Sequence, residues 1–208
     1  MFDCLLLMAG KGSRTTLKYN KIMYKINNKP LFMYSLEKFL SVKELNKVYL
    51  VCKKDEMDYF KYLENEKIEV IEGGDTRFRS VLNGCMKATE DIVLIHDAAR
   101  PNITIDEIVN VYNEAKLSKS ACLGVKVKDC IREIDRKSKT LERSKLYIIQ
   151  TPQGVDRKLL IEGVKSNRFD NYYDDCEVLE KNFDIECTIV NGSYNNIKVT
   201  TDDDIKYM

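Results

Sequence analysis

The feature of this chain that most narrows its fold is a recurrence. Short, continuously apolar segments alternate with segments whose apolar residues fall at helical spacing. Residues 2–8, 48–52, 69–71, 92–95 and 121–127 read as strands. Between them, 30–40 carries Leu36, Phe39 and Leu40 on one helical face behind Pro30. Residues 77–88 carry Val81, Leu82, Cys85 and Met86 in the same way, and residues 55–63 read as a helix with Phe60 and Leu63 inward. Thr104 caps a helix bearing Ile108, Val109, Tyr112 and Ala115, and Glu107 completes its capping box. Strands apolar on both faces, joined by amphipathic helices, build a mostly parallel sheet covered on both sides. The expected fold is α/β and Rossmann-like, in one domain spanning 1–208. Residues 128–150 break the rhythm. A charged stretch with short strands at 130–134 and 146–150 reads as a β-hairpin arm projecting from the sheet, either a plain solvated hairpin or a dimerisation arm.

Composition removes several classes of function. Lys and Arg number 34 against 33 Asp and Glu, so the basic excess of a general nucleic-acid binder is missing. Any anion handled by this chain must meet a local cluster of cations. No apolar run approaches the ~20 residues of a membrane span, and the run at 4–9 is too short for a signal peptide and lacks a basic flank. Seven cysteines, none in a Cys-x-x-Cys pair, point to reduced thiols and a cytoplasmic location. A single histidine, His96, disfavours multi-histidine metal sites and most Ser-His-Asp schemes. It reads as a hydrogen-bonding partner at a strand end.

In parallel sheets the ligand lies beyond the carboxyl ends of the strands, so the segments after each strand carry the functional reading. Four of the nine glycines fall in two such loops: Gly10 and Gly12 after the first strand, Gly73 and Gly74 after the third. Glycine lets backbone N–H groups approach a phosphate closely, although a structural tight turn uses it too. The dinucleotide pattern fails because Thr15 stands where its third glycine belongs, and the Walker spacing is also absent. Lys21 follows the first loop. Asp75-Thr76-Arg77-Phe78-Arg79-Ser80-Val81 follows the second, His96-Asp97-Ala98-Ala99-Arg100-Pro101 closes the fourth strand, and Asn196-Ile197-Lys198-Val199-Thr200 stands near the end. Singly, each has a bland explanation: Asp97 as a turn cap, Arg100 as a carboxylate partner, Lys198 as a surface cation.

Together and in this order, these pieces, with Thr151-Pro152-Gln153, resemble the 2-C-methyl-D-erythritol 4-phosphate cytidylyltransferases over essentially the full length. The resemblance implies a Mg²⁺-dependent homodimer that takes CTP and a small sugar-alcohol phosphate and releases pyrophosphate. It implies that Arg14 and Lys21 contact the triphosphate and steady the transition state. Ala9, Gly10, Lys11, Gly12, Gly74, Asp75, Arg77 and Ser80 are then nucleotide-binding. Asp97 is the metal residue and, with Arg100, Thr151 and Lys198, serves the acceptor, while Arg143 reaches the acceptor phosphate from the partner subunit. The chain departs from the family pattern at several points. Asn20-Lys21-Ile22 replaces Pro-Lys-Gln, which implies a looser loop. Met8, Thr15 and Tyr173 replace the usual Ala, Met and Thr, and Cys130 puts a weak donor where a threonine contact is usual.

Elementary charge arithmetic supports the same chemistry. A nucleoside triphosphate and a phosphate monoester repel, so fixed cations must offset them in a cleft of lowered dielectric. Lys11, Arg14, Lys21, Arg143 and Lys198 are the candidates. The monoester's second pKa is about 6, so at neutral pH it is already a dianion able to attack the α-phosphorus without a general base. The alternatives are a ribitol 5-phosphate cytidylyltransferase or a catalytically silent nucleotide-binding regulator; the missing third glycine disfavours a nicotinamide dehydrogenase.

Overall fold

The sheet is organised around β1 (Phe2–Leu7), and strand alternation explains why it sits in the middle. Phe2, Cys4 and Leu6 enter one apolar layer and Leu5 the other, so the strand is buried on both faces. The computed structural model describes residues 1–10, 19–166 and 172–206. After β1 come a small hairpin, β2 (Lys25–Ile26) and β3 (Lys29–Pro30), then α1 (Leu31–Leu40), β4 (Leu45–Cys52) and β5 (Ile68–Glu72). Next are α2 (Arg77–Lys87), β6 (Ile92–Asp97), α3 (Ile105–Ser118) and β7 (Ser120–Lys126). A second hairpin, β8 (Arg132–Ile134) and β9 (Ser138–Thr140), precedes β10 (Tyr147–Asp156), α4 (Arg157–Ser166), α5 (Asp175–Phe183), β11 (Thr188–Asn191) and α6 (Asp202–Ile205).

Seven strands form the main sheet in the order β11-β7-β10-β6-β1-β4-β5. All neighbours are parallel except β10, which runs antiparallel to both β6 and β7. Helices α1 and α3 cover one face with Phe32, Leu36, Phe39, Ile108 and Val111. Helices α2, α4 and α5 cover the other with Val81, Cys85, Leu160, Val178 and Leu179. The expected α/β architecture with helices on both faces is what the chain adopts. Thr104 and Glu107 form the expected capping box at α3. A Cβ on Gly84 would lie 2.8 Å from both Leu5 methyl carbons, so α2 packs tightly on β1 and its N-terminus lies at the strand's carboxyl end.

Two local expectations are corrected. Residues 55–63 form two short 3₁₀ turns, Lys54–Tyr59 and Lys61–Leu63, rather than an α-helix. The segment has no side-chain cap and is too short to propagate on its own, while burial of Phe60 fixes its path. The hairpin arm pairs 132–134 with 138–140, not with 146–150. Residues 147–149 instead open β10 and pair with β7, continuing a strand whose residues 150–155 are buried in the sheet. The sequence reading assigned nothing to α4, α5 and β11.

Candidate active site

Parallel strands end on a common edge, and the ends of β1, β4, β5 and β6 surround a cavity of about 590 Å³. Ala9 and Gly10 line it from β1, Lys53 and Lys54 from β4, Glu72 to Arg77 from β5 and the start of α2, and Asp97 and Ala99 from β6. Lys21, Ser80 and Lys198 complete the chemistry-bearing wall. Among the described lining residues five are cationic (Lys21, Lys53, Lys54, Arg77, Lys198) and three acidic (Glu72, Asp75, Asp97). The chain as a whole carries a net charge of only +1, so positive charge is concentrated here.

The α2 side is built by short backbone closures. The Gly73 N–H donates to the Cys52 carbonyl at 2.7 Å, joining the end of β5 to that of β4. The Gly74 N–H donates to Ser80 Oγ at 3.0 Å, and Thr76 caps α2 by accepting from the Arg79 N–H at 3.1 Å. A Cβ at Gly74 would stand 2.3 Å from that of Arg79, so only glycine lets the loop fold back this closely. Arg77 then turns to Asp175, donating from both guanidinium nitrogens at 2.7 and 2.6 Å. Asp175 is fully buried at the start of α5; its own N–H donates to Gln153 Oε1 at 2.8 Å. Burial works against the Arg77 charge, but the Asp175 carboxylate outweighs it and raises the guanidinium's pKa.

The β6 side is built by the C-terminal segment. The Val199 N–H donates to the Ala99 carbonyl at 2.8 Å, and Arg100 donates to the Asn196 carbonyl at 2.8 Å. Buried Asn196 donates in turn to the Thr151 carbonyl at 3.0 Å. This docking sets Lys198 Nζ 2.7 Å from Asp97 Oδ2, with Arg100 Nε at 3.8 Å from the same oxygen. Burial alone would raise the Asp97 pKa; Lys198, Arg77 and Arg100 outweigh it and hold the carboxyl at about 2.

Beneath Asp97 runs a chain of hydrogen bonds whose direction is determined. The Arg100 carbonyl can only accept, so His96 Nε2 carries a proton and donates to it at 3.2 Å. In the neutral ring Nδ1 then accepts from the Thr151 hydroxyl at 3.1 Å, and Thr151 Oγ accepts from the Asp97 N–H, also at 3.1 Å. Burial pushes the His96 pKa down to about 4, so the ring is neutral at pH 7. His96 therefore orients the strand end and stays clear of the cavity, which fits its sequence reading.

Residues 3–207 match the family described as IspD, 2-C-methyl-D-erythritol 4-phosphate cytidylyltransferase. A curated protein of that name from Clostridium novyi is 38% identical, covering 97% of this chain and 92% of the relative. Another from Dictyoglomus thermophilum is 35% identical, covering 98% and 93%. The crystal structure of 4-diphosphocytidyl-2C-methyl-D-erythritol synthase from Anaerococcus prevotii superposes with a TM-score of 0.87 at 26% identity, over 99% of this chain and 93% of that one. The chain belongs to the 2-C-methyl-D-erythritol 4-phosphate cytidylyltransferase family. It is accordingly a nucleotidyltransferase of isoprenoid biosynthesis.

In this cytidylyltransferase the residues read from sequence fall into three groups. Ala9, Gly10, Lys21, Gly74, Asp75, Arg77, Ser80, Asp97 and Lys198 share the cavity. Arg100 and Thr151 do not line it. Arg100 is spent on Asn196 and Asp97, and the Thr151 hydroxyl lies between Asp97 and His96. Arg143 lies on the arm, where its guanidinium donates to the Lys128 carbonyl. Lys11, Gly12 and Arg14 lie outside the described residues. At Asn20, where a looser loop is expected, the side chain donates to the Met8 carbonyl at 2.8 Å and to Glu56 at 3.0 Å. Its Oδ1 caps the 3₁₀ turn Lys21–Met23, so Asn20 fastens Lys21 to the end of β1. Sequence reasoning missed Lys53, Lys54 and Asp175. Inspecting the end of β4 as closely as the others would have found the two lysines. Asp175 had no signal beyond the Asp174-Asp175 pair.

Proposed function

We propose that the chain joins CTP to 2-C-methyl-D-erythritol 4-phosphate in this cavity, giving 4-diphosphocytidyl-2-C-methyl-D-erythritol and pyrophosphate. The observation that carries this reading is the convergence of Lys21, Lys198, Asp97 and the capped start of α2 on one space large enough for a nucleotide. The nucleotide lies along Ala9 to Gly12 and the Gly74–Ser80 loop. A Cβ at Gly10 would meet nothing within 4 Å among the described residues, and in this reading glycine there lets a phosphate approach the backbone closely. Lys21 and Arg14 meet the charge that develops as pyrophosphate leaves, and Lys198 receives the acceptor phosphate. Arg77 belongs to the nucleotide wall, held by Asp175. Arg100 and Thr151 act by positioning Lys198 and Asp97.

The family implies Mg²⁺, and the donor set fits it. Mg²⁺ prefers one or two carboxylates together with substrate phosphates. Asp97 stays ionised far below neutral pH, with Lys198 and Arg100 both beside Oδ2. Asp97 would hold the ion, and its chemistry would be to offset phosphate charge. No side chain need take a proton from the acceptor, whose phosphate is a dianion above pH ~6.

The chain works as a homodimer in this reading. Ile134 and Ile148 lie exposed on and beside the arm, a surface suited to a second copy, and the arm brings Arg143 to the neighbour's acceptor phosphate. The location is cytoplasmic, in keeping with seven unpaired cysteines. Among the described residues no helix is long and apolar enough to cross a membrane. The test is pyrophosphate release from CTP and Mg²⁺ with methylerythritol phosphate, ribitol 5-phosphate or no acceptor. Release with methylerythritol phosphate alone is expected. Equal release with ribitol 5-phosphate, or none with either, would overturn the assignment.

A further inference from the structure

Away from the cavity three thiols meet across three elements. Cys122 lies on β7, Cys176 in the first turn of α5, and Cys187 just before β11. Their sulfurs all lie within 4.8 Å of one another, and the Cys187 and Cys122 sulfurs are 3.5 Å apart. Cys122 and Cys176 are buried while Cys187 is partly exposed, so the group has a route to solvent. Ser120, two residues before Cys122 and hence on the same face of β7, is fully buried, and its hydroxyl lies beside the Cys187 thiol.

We propose that Cys122, Cys176 and Cys187 form a site for one zinc ion per chain, with Ser120 Oγ or a water in the fourth position. Zinc–thiolate bonds of about 2.3 Å in a tetrahedron set sulfurs roughly 3.8 Å apart. That spacing lies between the 3.5 Å of one pair and the 4.8 Å limit of the group, so small side-chain rotations close the site. Three thiolates select a soft or borderline metal over Mg²⁺ or Ca²⁺. A divalent ion cancels two of the three thiolate charges and a monovalent ion only one. Each thiol that binds as thiolate releases its proton to solvent. The ion ties α5 to β7 and to the edge strand β11, and Cys176 adjoins Asp175, the residue that holds Arg77 at the cavity wall. The chemistry is independent of the Mg²⁺ reading at Asp97.

The experiment uses the full chain, reduced with a phosphine and stripped of metal. It is titrated with Zn²⁺ in competition with a chromophoric chelator, and separately with Co²⁺ as a spectroscopic probe. One Zn²⁺ per chain is expected, with thiolate-to-cobalt charge-transfer absorption and a higher Tm on zinc addition. Cys187→Ser, at the partly exposed position, should weaken binding by more than the roughly 10- to 100-fold that loss of an outer-shell partner costs. Cys130→Ser, which removes the exposed thiol on the arm, should leave it unchanged. Absence of the cobalt thiolate band in the parent, or equal affinity in Cys187→Ser, would overturn the proposal.

Discussion

Two walls of one cavity are each held by a carboxylate–cation pair, and the pairs differ in kind. On the α2 side Arg77 meets fully buried Asp175 with two parallel bonds of 2.7 and 2.6 Å. On the β6 side Lys198 meets Asp97 at 2.7 Å through one nitrogen, and its side chain is 39% exposed. The first is a fixed fork whose geometry leaves little freedom. The second is a flexible amine on a four-carbon stem, free to exchange a carboxylate for a phosphate. The contrast teaches that charge at this site serves two ends: Arg77–Asp175 shapes the wall, and Asp97–Lys198 receives the ligand.

The largest expected effect lies on the fixed wall. Asp175→Ala leaves Arg77 without its buried partner and should lower stability by about 3–5 kcal/mol in urea unfolding. The double replacement Arg77→Met with Asp175→Leu should recover much of that loss while weakening CTP binding. A double variant as unstable as the single one would mean that the pair is not a coupled unit. Next comes Lys21→Ala, which removes a donor to developing charge and should lower kcat ~10²–10³-fold with little change in Tm. Turnover within threefold of the parent would remove Lys21 from the chemistry.

These two residues also mark what the sequence could disclose. The parallel half of the sheet was legible because continuous apolar strands and helical periodicity follow directly from burial on both faces. Post-strand loops then pointed to Lys21, Gly74 and Asp97, and the segment near the end to Lys198, all of which line the cavity. Asp175 was invisible because its role rests on a contact 98 residues distant in sequence from Arg77. The same reason hides the thiol group: Cys122, Cys176 and Cys187 have no motif spacing and meet only once β7, α5 and β11 have packed. Register explains the arm. Ile148 and Ile149 read equally well as hairpin or sheet until pairing with β7 decides between them.

A comparable but smaller effect belongs to His96, under the β6 wall. Its folded pKa of about 4 lies below the ordinary 6.5, so the unfolded chain binds the proton first as pH falls. The stability it contributes is whole above pH 6.5 and declines as pH drops toward 4. Between pH 7 and pH 5 the parent should lose about 2 kcal/mol that His96→Gln does not, measured by urea unfolding at each pH. Equal slopes would show that the ring titrates normally and that the Thr151–His96 chain is not as drawn. The smallest effect concerns the arm: mixing Lys21→Ala with Arg143→Ala chains should restore part of the activity if Arg143 serves the neighbouring subunit. No gain over either variant alone would confine Arg143 to its own chain.

The division of labour between the two walls is tested most directly by steady-state kinetics of Lys198→Ala with each substrate varied in turn. The account predicts that KM for methylerythritol phosphate rises about tenfold, the loss of one charged hydrogen bond, while KM for CTP and the Tm stay near the parent's. A rise in KM for CTP equal to that for the acceptor would contradict it.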